Sequence, residues 1–319
     1  MTDMPDTTAS RLISVVMPCY NAAAHVEQAV RSALDQQAVE VELLVVDDSS
    51  TDESVAIVQR LQSDYGPRLT LLHAPHAGPY PARNLGLRHA RGDFIAFLDA
   101  DDYWEPDCLH ALLHTLLERQ ADLAYCGWQN VGAVMQGSEP YVPPAYEYED
   151  TCSHFLTVCP WPIHAALVRR QVVDAIGGFS TRRFASMDYD FWLRAYAHSQ
   201  NIVRVPRVLA YYRWHGAGQI SAVKWRQVID AWIVRRDFVR EHPQRMAHLA
   251  PDVLQDMVDG ALLRAAYAAF WKRDLVSAQK LFRQSLRIGA WRPGDLPYLL
   301  PALLPLPLFR RVVSGLERK

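Results

Sequence analysis

Two hydrophobic rhythms alternate along the first 130 residues of this chain. Residues 12–18, LISVVMP, form a continuous apolar run that stops at Pro18, the pattern of a strand buried on both faces. The following stretch, AAAHVEQAVRSALDQQ, puts Val26, Ala29, Val30, Ala33 and Leu34 at helical spacing. VELLVVDD reads as a second buried strand. TDESVAIVQRLQSDYG reads as a helix capped by Ser50 or Thr51, with acids in its first turn and Gly66 after its end. RLTLLHA is a third strand, PARNLGLRHARG a helix closed by Gly92, and DFIAFLDA a fourth strand. PDCLHALLHTLLERQ is a helix with Pro106 at its start, where proline is tolerated, and ADLAYCGWQN is a fifth strand.

Strand–helix alternation of this kind predicts a doubly wound α/β sheet, mainly parallel and flanked by helices. Ligands of such sheets bind beyond the carboxyl ends of the strands, where Asp47, Asp48, Asp99 and Asp101 all fall. After about residue 132 the rhythm changes. GSEPYVPPAYEYED is irregular, RRQVVDAIGGF a short helix ended by Gly177–Gly178, MDYDFWLRAYAHS a helix, and NIVRVP and VLAYYRW two short strands. From about Ala222 the pattern is helical, over 222–241, 247–270 and 274–289. The expected organisation is a disordered tail at 1–11, a sheet domain at 12–221 and a helical region at 222–319.

No stretch reaches the ~20 apolar residues of a membrane span. The nearest, LPYLLPALLPLPLF (296–309), is uncharged but carries Pro297, Pro301, Pro305 and Pro307, which rule out a straight helix. It reads either as a tail packed on the core or as an interfacial segment with Arg310 and Arg311 at lipid headgroups, and the second reading is preferred.

Composition narrows the class. Half of the 319 residues are hydrophobic and 21% charged, which is globular, and a net charge of −2 lacks the basic excess of a nucleic-acid binder. Cys19, Cys108, Cys126, Cys152 and Cys159 are odd in number and have no close paired spacing, against a disulfide framework or a zinc ribbon. A reduced, cytoplasmic setting is expected, and the N-terminal MTDMPDTTASR lacks a signal peptide's basic and apolar regions.

Two clusters carry chemistry. In VVDDSSTD, helix capping accounts for Ser50, Thr51 and Asp52 but not for Asp47 and Asp48 at the end of a buried strand, where a carboxylate can accept from a base N–H or a ribose hydroxyl. In FLDADDYW, strand alternation lets Asp99 and Asp101 face one ligand, and no basic residue stands near in sequence to pair them. Hard oxygen ligands of this kind suit Mg²⁺ or Mn²⁺, which commonly takes one or two carboxylates plus substrate phosphates. Asp102 has a second reading, as cap of the helix that Pro106 opens.

ISVVMPCYNAAAHVEQAVRSALDQQ, ELLVVDDSSTDES, GPYPARNLGL, ARGDFIAFLDADD and MDYDFWLRA together resemble the inverting, nucleotide-sugar glycosyltransferases of family 2, over residues 12 to about 220. The resemblance implies a GT-A (Rossmann-like) fold, with the helical C-terminal third outside it. It implies that Pro18 and Tyr20 line the base pocket with Asn21, and that Asp47 and Asp48 hold base and ribose. Arg83 would sit by the donor diphosphate, and Asp99, Ala100 and Asp101 would form the Asp-x-Asp element, Asp101 being the more direct metal ligand. Asp188 matches the catalytic base, with Asp190 a competing carboxylate that reads otherwise as a surface acid or a partner of Arg194. In the family an Asp usually follows a Glu at this point; Met187 stands there instead, which bears on the tuning of the base. In YYRWHGAGQIS, a histidine completes the metal shell in some relatives or an arginine meets the diphosphate, so His215 is a third candidate ligand and Arg213 a candidate diphosphate contact. Trp161 and Trp214 could stack on an acceptor sugar or belong to the core.

The implied reaction moves a sugar, UDP-linked by preference, to a hydroxyl of a glycan or lipid-linked acceptor in bacterial surface polysaccharide assembly. The enzyme would be cytoplasmic, with peripheral contact to the inner face of the plasma membrane through its tail. Two rival readings are a catalytically impaired nucleotide-sugar-binding domain, which Met187 favours, and a sugar nucleotidyltransferase, which PCYNAAAH disfavours because it lacks a glycine-rich basic loop. Processive synthesis is disfavoured, since no membrane channel and no Gln-x-x-Arg-Trp pattern is present as usually placed.

Overall fold

The computed structural model describes residues 11–132, 138–148, 150–182, 185–214 and 224–316. The strands are β1 (Ile13–Cys19), β2 (Val41–Asp47), β3 (Leu69–His73), β4 (Phe94–Phe97), β5 (Tyr103–Trp104), β6 (Leu123–Val131), β7 (Ala166–Arg169) and β8 (Ile202–Arg213). The helices are α1 (Val26–Leu34), α2 (Ser54–Tyr65), α3 (Pro79–His89), α4 (Cys108–Glu118), α5 (Thr151–Thr157), α6 (Arg170–Ile176), α7 (Met187–His198), α8 (Lys224–Glu241), α9 (Pro251–Gln255), α10 (Ala261–Trp271), α11 (Leu275–Ile288), α12 (Leu296–Leu299) and α13 (Leu306–Leu316). They fall into two compact units. The first takes Met1–Thr151, Pro160–Arg182 and Phe191–Gly216; the second takes Cys152–Cys159, Arg183–Asp190 and Ala217–Lys319.

The first unit is built on one sheet of order β3-β2-β1-β4-β7-β6-β8-β5. Parallel pairing joins β3, β2, β1 and β4, whereas β7 runs antiparallel between β4 and β6, and β5 antiparallel beside β8. This is the mixed, mainly parallel sheet expected, with the GT-A layout. Every residue of β1 and β2 is buried, as their largely apolar runs predict, Ser14, Glu42 and Asp47 included. Pro18 is tolerated inside β1 because pairing to β4 stops at Val16–Phe97, two residues earlier. Helix α3 lies close on β1 because Gly86 has no side chain: a Cβ there would come 2.4 Å from a methyl of Val16.

Two local expectations are corrected and one open choice is decided. Ser50 and Thr51 do not cap α2, whose capping position is Glu53 and whose first turn holds no acid; both residues are engaged by Asn21 instead. NIVRVP and VLAYYRW are one strand, β8, which follows β6 through register shifts around Gly127. Trp161 belongs to the core, stacked on Tyr125 with centroids 4.4 Å apart.

The second unit has its own core, in which Leu262, Ala266, Phe270, Leu281, Phe282, Leu299, Ala302, Phe309 and Val313 are buried together. Asp274 caps α11 through Ser277 N–H at 3.1 Å, and Gly289 ends it at φ 74°. The prolines divide the apolar tail into α12, a single turn at Pro301–Leu303, and α13. Leu299, Ala302, Phe309 and Val313 face inward, while Leu300, Leu303, Leu304, Leu308 and Val312 stay exposed. Among the described residues no helix is long and apolar enough to cross a membrane. No disulfide links the five cysteines.

Candidate active site

The sheet of the first unit opens where β1 and β4 part. Their pairing ends at Val16–Phe97, so the chain leaving β1 at Tyr20 and the chain leaving β4 at Leu98 diverge at the point where strand order reverses. That is where a doubly wound sheet holds a ligand. Asp47 and Asp48 end the neighbouring strand β2.

On the β2 side each carboxylate is already oriented. Asp48 is buried and accepts from Ala77 N at 2.9 Å and Gly78 N at 2.8 Å. It thereby holds the loop that opens α3, with Gly78 at φ 95°, a conformation glycine takes without strain. His76 Nδ1 lies 3.0 Å from the Asp48 carbonyl oxygen, and its ring sits 4.4 Å from that of Tyr20. Tyr20 is 48% exposed, an aromatic face presented at the end of β1. Asp47 accepts from Ser50 N at 3.1 Å, and its second oxygen lies 3.6 Å from His73 Nδ1. Burial, and then the charge of Asp47, push the Cys19 thiol up to about 12, so it stays protonated near neutrality. Pro18 is buried within β1. Asn21, at φ 49°, accepts from Thr51 N at 2.8 Å and donates its own N–H to Ser50 Oγ at 3.0 Å, joining the loops after β1 and β2.

On the β4 side the strand ends at Phe97, before the first aspartate, so strand alternation does not orient Asp99 and Asp101. A turn does: Asp102 N donates to Asp99 O at 3.0 Å, and Ala100 is buried inside it. The Asp99 carboxylate is not without a basic partner, contrary to the reading from sequence neighbours. Arg83, buried in α3, donates to Asp99 Oδ1 from Nη2. The guanidinium lies 5.5 Å from the Tyr80 ring centroid and 5.4 Å from that of Phe179. Asp101 is partly exposed, and its carbonyl oxygen accepts from Arg213 Nε at 2.8 Å. Arg213 also donates to Gln28 Oε1 at 2.7 Å, with its guanidinium 5.4 Å from the Tyr103 centroid. It braces the turn.

Asp102 is not a helix cap either; Asp107 takes that place for α4. Asp102 is buried, accepts from Arg213 N at 2.7 Å, and puts Oδ2 3.0 Å from Nδ1 of the equally buried His164. The two atoms face each other without meeting the angles of a hydrogen bond. Burial pushes the Asp102 carboxyl up, to about 6, against the lowering effect of His164. Sequence reading missed His164; 62 positions separate it from Asp102, and no spacing signals the pair.

Among the described residues no group of three or more His, Cys, Asp or Glu side chains forms a metal cage. Asp101 with Asp99 still fits Mg²⁺ or Mn²⁺, because these ions are commonly held by one or two carboxylates and complete their shell with water and phosphate oxygens. His215 lies outside the described residues. Trp214 is half-buried and donates to Asn130 Oδ1 at 3.2 Å.

Asp188 stands in the first turn of α7, within the second unit. Its turn is tied to α8: Ala185 N donates to Asp230 Oδ2 at 3.2 Å, Ser186 Oγ to Gln227 O at 3.3 Å, and Arg235 Nε to Tyr189 Oη at 3.2 Å. Ser186 enters the helix at φ 60°, a costly conformation for a residue with a side chain. Met187 and Asp190 are buried, so Asp190 is not a surface acid; Arg194 donates to the carbonyls of Ile176 and Gly178 at 2.7 and 2.9 Å.

Comparison with known proteins bears on the family and the fold. The model of "Glycosyl transferase family 2" matches residues 14–189. The putative teichuronic acid biosynthesis glycosyltransferase TuaG of Bacillus subtilis is 29% identical over 72% of this chain and 90% of its own. Among solved structures, residues 1–349 of S. aureus TarS in complex with UDP-GlcNAc superpose with a TM-score of 0.66 at 20% identity, over 96% of this chain and 91% of that fragment. The mannosyltransferase PcManGT of Pyrobaculum calidifontis, in complex with GDP-Man and Mn²⁺, gives 0.56 at 21% identity, over 94% of this chain and 88% of that one. The chain belongs to glycosyltransferase family 2 and has its GT-A fold.

Proposed function

We propose that the protein transfers a sugar from a nucleoside diphosphate donor to an acceptor hydroxyl with inversion at the anomeric carbon. The observation that carries this reading is the gathering of Tyr20, Asp47, the Arg83–Asp99 pair and Asp101 at the β1/β4 parting of a family 2 chain. Tyr20 offers a face for a base to stack on, and the second oxygen of Asp47 an acceptor for a base N–H. Asp48 keeps the Ala77–Gly78 loop, and through it α3 and Arg83, in register.

Asp101, with Asp99, would hold a Mg²⁺ or Mn²⁺ ion, which when bound offsets the negative charge of the departing diphosphate. Arg83 fixes the position of the Asp99 carboxylate. The acceptor oxygen attacks the anomeric carbon and passes its proton to Asp188. The bond from that carbon to the diphosphate oxygen breaks with its electron pair on the leaving nucleoside diphosphate. An α-linked donor therefore gives a β-linked product. A positioned base of this kind contributes about 10²–10⁴-fold. TuaG is named for teichuronic acid biosynthesis and TarS was solved with UDP-GlcNAc, which supports a UDP-linked donor and a role in surface polysaccharide assembly. Purified protein assayed against UDP- and GDP-sugars tests the class: released nucleoside diphosphate with an inverted product supports it. Nucleoside triphosphate consumption with pyrophosphate release would refute it.

The acceptor is proposed to be lipid-linked or a growing glycan, met at a membrane surface. Leu300, Leu303, Leu304, Leu308 and Val312 are exposed within 13 residues, and Arg310 and Arg311 are exposed beside them. Apolar side chains flanked by cations suit an anionic lipid interface.

A further inference from the structure

We propose that His164 and Asp102 form a buried brace that sets the backbone of the Asp99–Asp101 turn, so that Asp101 meets its cation in one orientation. The inference rests on the metal reading of Asp101 given above. His164 and Asp102 are both fully enclosed, their facing atoms 3.0 Å apart. Placing two ionisable groups in an apolar interior is costly, and neither is part of the proton transfer proposed for Asp188. Main chain is what they hold. Asp102 Oδ1 accepts from Arg213 N at 2.7 Å, and Asp102 N donates to Asp99 O at 3.0 Å. Arg213 turns back and donates from Nε to Asp101 O at 2.8 Å. The bonds close a ring in which the end of β8 and the Asp-x-Asp turn fix one another, with the carboxylate of Asp102 as the shared post.

His164 is itself held from three sides. Trp104 Nε1 donates to its carbonyl oxygen at 2.7 Å. Its ring stacks on Tyr212 at 5.7 Å between centroids and 8° between planes. Its Nδ1 edge faces Asp102, while Nε2 has no hydrogen-bond partner among the described residues. Asp102 is therefore the one polar group that the imidazole addresses. Both are positioning residues: they act through Arg213 and the turn, not on substrate.

The test is a Mn²⁺ titration of the purified full chain, following free Mn²⁺ by electron paramagnetic resonance with UDP present, alongside UDP binding without metal. His164→Leu fills the site but loses the pair, and its Mn²⁺ affinity should fall about 10- to 100-fold, the usual cost of losing a group that orients a metal ligand. UDP binding without metal should not change. His164→Asn, which keeps a polar edge facing Asp102, should restore most of the Mn²⁺ affinity. Should His164→Leu fail to fold, Trp104→Phe keeps an aromatic ring while removing the bond to His164 O, and should weaken Mn²⁺ binding in the same direction. Wild-type Mn²⁺ affinity in the variant that folds, or His164→Asn as weak as His164→Leu, overturns the brace alone. A wild-type chain that binds no Mn²⁺ overturns the metal reading and the brace with it.

Discussion

Arg83 donates to the carboxylate of Asp99 across the parting of the sheet, joining α3 to the first aspartate of the Asp-x-Asp turn. The arginine is buried between Tyr80 and Phe179, whereas the Asp99 side chain is 30% exposed. The structural duty of the pair and the functional one proposed for it can be separated. Arg83→Met should destabilise the fold by about 1–3 kcal/mol, because the carboxylate loses the partner that offsets its partial burial. Adding Asp99→Asn should recover part of that stability in urea unfolding without recovering transfer. Full activity in the double variant would remove both residues from donor binding.

The proposed base is Asp188, in the first turn of α7. Asp188→Asn should leave donor affinity close to wild type and lower turnover by about 10²–10⁴-fold. Turnover and donor affinity measured separately decide it. Unimpaired turnover removes Asp188 from the proton transfer, and Asp190, buried two residues on, becomes the next carboxylate to test.

Glu42 gives the fold an acid-sensitive point remote from the chemistry. Burial alone would raise its carboxyl, but hydrogen bonds from Ser14 Oγ at 2.6 Å and from Arg91 N and Nε at 2.6 and 2.8 Å hold it below the usual range. A depressed folded pKa stabilises above the unfolded value, about 4.3, and that stability disappears as pH falls through the folded one. Urea midpoints should therefore drop below about pH 4, and Glu42→Gln should be less stable at pH 7 by about 1–3 kcal/mol with a flatter acid limb. Parallel pH profiles for the two proteins would contradict this.

The exposed leucines of the tail make a surface prediction. Leu303→Glu with Leu308→Glu should abolish sedimentation with vesicles containing phosphatidylglycerol while changing stability by no more than about 0.5 kcal/mol, as expected for exposed positions. Undiminished sedimentation would remove this face from membrane contact.

Much of the framework was legible because it rests on local pattern. The largely apolar runs at 13–19 and 41–47 read as strands buried on both faces, which puts Asp47 and Asp48 at the end of β2, on the edge where such sheets hold ligands. What pattern could not give were pairings across the fold. Arg83 lies 16 residues before Asp99, so neighbours in sequence made that acid look unpartnered, and His164 lies 62 after Asp102, which read as a helix cap. Ser50 and Thr51 looked like caps because such residues favour helix starts; Asn21, 29 and 30 residues away, takes them instead. Trp161 read either as a sugar platform or as core, and its packing against Tyr125 decides for core.

The most direct measurement is the thermal stability of the full chain with UDP, with and without Mn²⁺, for the wild type and Asp101→Asn. Mn²⁺ should add to the UDP-induced rise in Tm of the wild type, and Asp101→Asn should keep the rise from UDP alone but lose the part due to the metal. Equal shifts with and without Mn²⁺ in the wild type, or a full metal-dependent rise in Asp101→Asn, would contradict a cation held at the turn between Asp99 and Asp101.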